Sequence, residues 1–133
     1  MAHLIVECSE LVAQSLSLTE LCEQLHAAMV ECGIFPIAGI RVRAYQPAAS
    51  SIADLHRQNG FVAMTLVAGH GRTSAELKSA GDIVFARAKE SLGNWLADDY
   101  FALSLEIREI DPELTWKANT IRPRLLAQTG KKD

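Results

Sequence analysis

Apolar residues recur at two different periods along this chain. Residues 2–8, Ala-His-Leu-Ile-Val-Glu-Cys, predict a strand at once. A helix follows, opened by the capping-box pattern Ser17-Leu18-Thr19-Glu20. Its stripe of Leu21, Cys22, Leu25, Ala28, Met29 and Cys32 keeps helical spacing, and Gly33 is placed to end it. A second strand is expected around residues 37–45. Residues 46–60 hold Pro47, Ala48, Ala49, Ser50 and Ser51 and read as a loop. The pattern then repeats. Residues 61–67 predict a strand, Gly69-His70-Gly71 a turn, and Thr73-Ser74-Ala75-Glu76 a second capping box. That helix is expected to run to about Trp95, with Leu77, Ala80, Val84, Ala88, Leu92 and Trp95 on one face. Residues 101–110 alternate as a fourth strand, Leu103, Leu105 and Ile107 against Ser104, Glu106 and Arg108, before Pro112 stops it.

These elements make two βαβ halves, about residues 2–46 and 61–110. Right-handed crossovers imply parallel strands within each half. The predicted fold class is two-layer α/β (α+β): a four-stranded sheet with two helices on one face. One domain is expected over residues 1–128, with residues 129–133 a disordered tail. Residues 113–128 show weak periodicity.

The third strand, Phe61-Val62-Ala63-Met64-Thr65-Leu66-Val67, is apolar on both faces, and Ile5 lies opposite Leu4 and Val6. Two helices cover only one face of such a sheet. The second face therefore calls for another partner, most simply copies of the same chain.

Composition narrows the possibilities. Net charge is −3, which gives no global pull towards nucleic acid or an anionic membrane. No apolar run approaches the roughly 18 residues of a membrane span. The start alternates and lacks a basic leader, so no signal peptide and a cytoplasmic location are expected. Cys8, Cys22 and Cys32 form an odd set without C-x-x-C spacing and read as small, buried, reduced side chains. His3, His26, His56 and His70 are scattered, so no metal site is expected.

Three places could carry chemistry. Ala2 is small enough to be exposed by removal of Met1, which would set an α-amine at the end of a strand. Such an amine titrates near neutrality, about 7.7–8.0, and can move protons there. The same segment also reads as a plain first strand. Arg41 and Arg43 share the face opposite Ile40 and Val42, and guanidinium groups grip carboxylates bidentately. A solvated polar face fits the pair as well. Arg72 follows a glycine-rich turn just before a helix N-terminus, where anions are favoured; an ordinary strand-to-helix connection fits equally. His70 and Glu7 read as surface or interface residues. Trp116, Lys117 and Asn119 could line a neighbour's pocket or pack on the surface.

Several segments together resemble the 5-carboxymethyl-2-hydroxymuconate isomerase family of the tautomerase superfamily. They are residues 5–9, Ile-Val-Glu-Cys-Ser; residues 33–43, Gly-Ile-Phe-Pro-Ile-Ala-Gly-Ile-Arg-Val-Arg; Met64-Thr65-Leu66 with Gly71-Arg72; and residues 102–107. The resemblance implies a tautomerase/MIF-like fold, a homotrimer, and cofactor-free proton transfer on an unsaturated 2-hydroxy or 2-oxo dicarboxylic acid of aromatic catabolism. In that family an N-terminal proline amine moves the proton and arginines hold carboxylates. Matched to this chain, the arginines are Arg41 and Arg72, with Arg43 in support, and the amine falls to Ala2. Alanine supplies a primary amine on a freer backbone. The resemblance thus leaves two expectations: an isomerase working through Ala2, or a trimer that binds carboxylates with little or no catalysis.

Overall fold

The computed structural model describes residues 1–129. Its element order is β1 (Ala2–Cys8), α1 (Glu10–Ser15), α2 (Leu18–Glu31), β2 (Ile40–Tyr45), β3 (Gly60–Gly69), α3 (Ser74–Ser91), α4 (Gly93–Leu96), β4 (Phe101–Ile110) and α5 (Ile121–Thr129). The sheet order is β2-β1-β3-β4. Strands β1 and β2 are parallel, as are β3 and β4, and the two halves join antiparallel through β1 and β3. Both βαβ halves are therefore present.

Strand period two divides the sheet. Ala2, Leu4, Val6 and Cys8 of β1 and Val62, Met64, Leu66 and Ala68 of β3 are buried beneath the helices. Leu21, Leu25, Ala28 and Met29 of α2 and Leu77, Ala80, Val84 and Ala88 of α3 cover them. Burying side chains of this size contributes about 1.5–3 kcal/mol each. Arg87 of α3 ties the helices together, reaching Glu31 at 2.9 Å. The opposite face carries Ile5, Phe61, Ala63 and Val67, all half-exposed, with no helix of the described residues burying them.

Four expectations need correction. Residues 37–39 form a 3₁₀ turn, so β2 begins at Ile40; Gly39 N–H donates to the Pro36 carbonyl at 3.0 Å. Helix α1 was not expected, because six residues are too short to show a period; it is pinned by the fully buried Val12. The second long helix stops at Ser91, and α4 continues after a break at Leu92. The weakly periodic end contains a nine-residue helix, α5. The second capping box closes in both directions, whereas at Ser17 only the bond from Glu20 N–H to Ser17 Oγ forms. Gly33, at φ +74°, ends α2 in the left-handed conformation that favours glycine.

The three cysteines are free. Cys8 is buried, but Cys22 and Cys32 are only half-buried, at the margins of their stripe. Among the described residues no helix is long and apolar enough to cross a membrane. The tail expected over residues 129–133 lies outside the described residues, apart from Thr129, the last residue of α5.

Candidate active site around the N-terminus

The strand pairing brings the chain start to the middle of the sheet's end. Ala2 pairs with Ile40 on one side and Ala68 on the other, and is fully buried. Met1 extends from it between the 3₁₀ turn and the end of β3. Gly69 N–H donates to the Met1 carbonyl at 3.0 Å. Across from it, a Cβ on Gly39 would stand 3.0 Å from Met1 Cα and 3.1 Å from the amine nitrogen, so any larger residue would crowd Met1.

Two cavities meet at Met1. One, of about 390 Å³, is lined by Met1, Gly39, Arg41, Lys117, Asn119 and Arg122. The other, of about 310 Å³, runs past Gly69, His70 and Arg72 and shares Met1, Lys117 and Arg122 with the first. Among the described residues that line them none is acidic. The amine is held below its ordinary value of 8.0, first by burial and then by the positive charges of Lys117, Arg72, Arg122 and Arg41. A larger cavity, about 510 Å³, lies between α2 and β2 beside Cys22 and His26. It holds neither the amine nor an arginine, and burial pushes the Cys22 thiol away from its reactive thiolate.

Arg41 stands on the open sheet face next to His3, its register partner, with Nη1 3.1 Å from His3 Nε2. A guanidinium only donates, so Nε2 accepts and the ring proton sits on Nδ1. Burial and the charges of Arg41 and Arg43 hold His3 below its usual range, which keeps the acceptor neutral. Arg72 is fixed from three sides. Its Nε donates to the Ile34 carbonyl and Nη1 to the Gly69 carbonyl, each at 3.0 Å, and its guanidinium lies 5.0 Å over the Phe35 ring. Among the described bonds Nη2 has no acceptor.

Arg43 lines neither cavity; its Nε donates to Tyr45 Oη at 3.1 Å. His70 lines the Arg72 cavity, is largely exposed, and faces Glu109 at 3.7 Å. Glu7 is exposed at the far end of β1. Lys117 and Asn119 line this chain's own cavities, while Trp116 is 85% exposed and lines neither. Sequence reasoning did not single out His3 or Arg122. For Arg122 a signal exists: Asn119 caps α5, accepting from Ile121 N–H at 2.9 Å and Arg122 N–H at 3.2 Å, with Pro123 in the first turn.

A four-stranded sheet of two βαβ units with helices on one face is a tautomerase/MIF-like α+β fold. A fused 4-OT symmetric trimer shares the fold, with a TM-score of 0.65 and 20% identity over 88% of this chain and 92% of that chain. Residues 2–125 match the family model for 5-carboxymethyl-2-hydroxymuconate isomerase, and the chain belongs to that family. It is 34% identical to the Escherichia coli 5-carboxymethyl-2-hydroxymuconate Delta-isomerase, over 91% of this chain and 96% of the relative. It is 32% identical to a 5-carboxymethyl-2-hydroxymuconate isomerase of Deinococcus radiodurans R1, covering 93% of each chain, with a TM-score of 0.86.

Proposed function

We propose that this chain is a cofactor-free isomerase that moves a proton on an unsaturated 2-hydroxy or 2-oxo dicarboxylic acid of aromatic catabolism. After loss of Met1, the α-amine of Ala2 takes the proton from the enol or the adjacent carbon and returns it elsewhere on the conjugated system. Arg41 and Arg72 hold the carboxylates at the two ends, and Arg43 supports Arg41 from two residues along the same face. The observation that carries this reading is the amine of Met1, one residue ahead of Ala2: it sits among four cations and no acid, with its proton affinity lowered below the ordinary 8.0. An amine that is neutral at working pH is a competent base, and the cations favour a substrate anion at the same place. The test is enol-to-keto conversion of 2-hydroxymuconate acids by ultraviolet absorbance on untagged, Met1-free protein. A rate no greater than that of buffer would overturn it.

Ala2 itself favours a second reading, because the family's amine belongs to a ring-held proline. In that reading the site binds carboxylates without turnover. Carboxylates that raise the melting temperature with no isomerisation would support it.

The open sheet face supports assembly with further copies, as a homotrimer. Ile5, Phe61, Ala63 and Val67 would be covered there, and the fused relative with the same fold is a symmetric trimer. Sedimentation of the purified chain tests this; a monomer at micromolar concentration would overturn it.

A further inference from the structure

We propose that Asn119 is a positioning residue of this site: its carboxamide ties α5 to the 3₁₀ turn at residues 37–39 and so holds Lys117 and Arg122 beside the N-terminal amine. The role rests on the reading of the Ala2 amine as the base. Its first support is connection. Asn119 Nδ2 donates to the Ala38 carbonyl at 2.9 Å, 81 residues away in sequence. Oδ1 of the same group accepts from Ile121 N–H at 2.9 Å and from Arg122 N–H at 3.2 Å. One side chain thus joins the neighbour of Gly39, which abuts Met1, to the first turn of α5.

Burial is the second support. Ala38 is buried and belongs to the fixed body of the fold. Residues 111–128 contain no buried residue, and Asn119 is one of the few that are even half-buried. Such a segment has few buried apolar contacts to place it, so its hydrogen bonds decide where it rests.

Charge is the third support, because it opposes the arrangement that Asn119 maintains. Lys117 and Arg122 line both cavities at Met1, with Arg41 in one and Arg72 in the other, and no described acid lines either. The remaining titratable groups nearby are His3 of β1, which contacts Arg41, and His70 after β3, which Glu109 faces at 3.7 Å. Like charges repel, and Arg122 also stands at the positive end of the α5 dipole. Repulsion would draw an untied segment away into solvent. Lys117 and Arg122 both act on the amine, Lys117 most strongly of the charges. Asn119 itself is uncharged, so its influence on the amine passes through the groups it places.

The experiment titrates the α-amine directly and needs no turnover. Trace acetylation by acetic anhydride, read by mass spectrometry of the N-terminal peptide, follows the neutral amine against pH. It is run on full chain with and without Met1. Wild type should show a midpoint below 8.0. Asn119→Ala should raise that midpoint towards 8.0, by at least about half the rise seen in Lys117→Ala/Arg122→Ala. Made on top of that double variant, Asn119→Ala should add little, since the cations it places are gone. Asn119→Ser keeps an acceptor for α5 but is too short to reach Ala38, and should shift the midpoint as Asn119→Ala does. A midpoint unmoved by Asn119→Ala while the melting temperature falls would make Asn119 structural only and overturn the proposal. An equal shift with and without the two cations would overturn it as well. Midpoints that move as expected in a Met1-free chain that isomerises nothing would instead overturn the reading of Ala2 as the base.

Discussion

The backbone N–H of Gly69 donates to the carbonyl of Met1 at 3.0 Å, and this one bond seats the first residue across the mouth of two cavities. Loss of Met1 removes the acceptor and one of the three residues that both cavities share. The Gly69 donor then faces the joined space beside the Ala2 amine. A chain lacking Met1 is expected to isomerise its substrate, and a chain retaining Met1 or extended by a short tag to lose about 10²–10⁴ in kcat, the scale of a general base. Intact mass alongside initial rates checks this, and equal rates for the two forms would remove the amine from the mechanism.

Gly39 offers a structural test of the same geometry. An alanine Cβ there would press on Met1 Cα at 3.0 Å, but would meet Ala2 N at an ordinary 3.8 Å. Gly39→Ala should therefore destabilise the Met1-bearing chain by about 1–3 kcal/mol, the usual cost of overpacking, and the Met1-free chain much less. Paired thermal melts read the difference.

Arg41 owes its direction to His3, its partner across β1 and β2. His3→Ala should leave the fold intact and raise KM severalfold with kcat little changed, because the guanidinium loses its acceptor but not its charge. Protonated His3 cannot accept from Arg41, so the same rise in KM should appear in wild type at acid pH, below the ordinary histidine value of 6.5 from which His3 is lowered. A KM independent of pH in that range would separate His3 from the site.

Period-two alternation made the sheet legible: Leu103, Leu105 and Ile107 face the helices, and Arg41 and Arg43 share the open face, because a strand's side chains have only two directions. The chain start and Arg72 were legible as candidates because each adjoins a regular element. What escaped lay where local pattern is silent. Ile37-Ala38-Gly39 is as apolar as the strand it precedes, and nothing local tells a 3₁₀ turn from three more strand residues. Lys117 stands in a segment without regular structure, and Arg122 in a helix whose apolar residues keep no clear face. The bond from Asn119 to the Ala38 carbonyl, formed between distant parts of the chain, ties their segment to the 3₁₀ turn beside Met1. His3 looked like an isolated histidine until pairing set it beside Arg41.

Arg72 should prove structural as well as ligand-binding. It joins residue 34 to the end of β3 through two carbonyls and rests over Phe35. Arg72→Ala is expected to destabilise the chain by about 2–4 kcal/mol, below the full sum for two charge-assisted bonds and a cation–π contact because the side chain is only half-buried. Arg72→Lys should recover little, since an ammonium cannot donate in these fixed directions while stacking on the ring. Denaturant melts measure both, and a lysine variant of wild-type stability would show that charge alone suffices.

The amine's titration makes the last prediction. Burial is the largest cause of its lowered proton affinity, and Lys117 is the largest among the charges, ahead of Arg72, Arg122 and Arg41. With Met1 gone, the Ala2 amine is expected to take its place beneath the same four cations and to be lowered in the same direction. Its neutral form is the base, so kcat/KM should rise with pH through a midpoint below 8.0. Lys117→Ala removes one cation, which makes protonation easier and moves that midpoint up towards 8.0. The variant should therefore lose more activity at pH 6.5 than at pH 8.5. Stability has the same sign. The unfolded amine binds its proton at a higher pH than the folded one, so the unfolded chain carries more protons as pH falls from 8.0 to the folded midpoint. The folded state loses stability over that window and gains it back as pH rises. Rate profiles and melts of wild type and Lys117→Ala, both Met1-free, test the two effects together. An acid limb that Lys117→Ala leaves in place would place Lys117 too far from the amine to act on it.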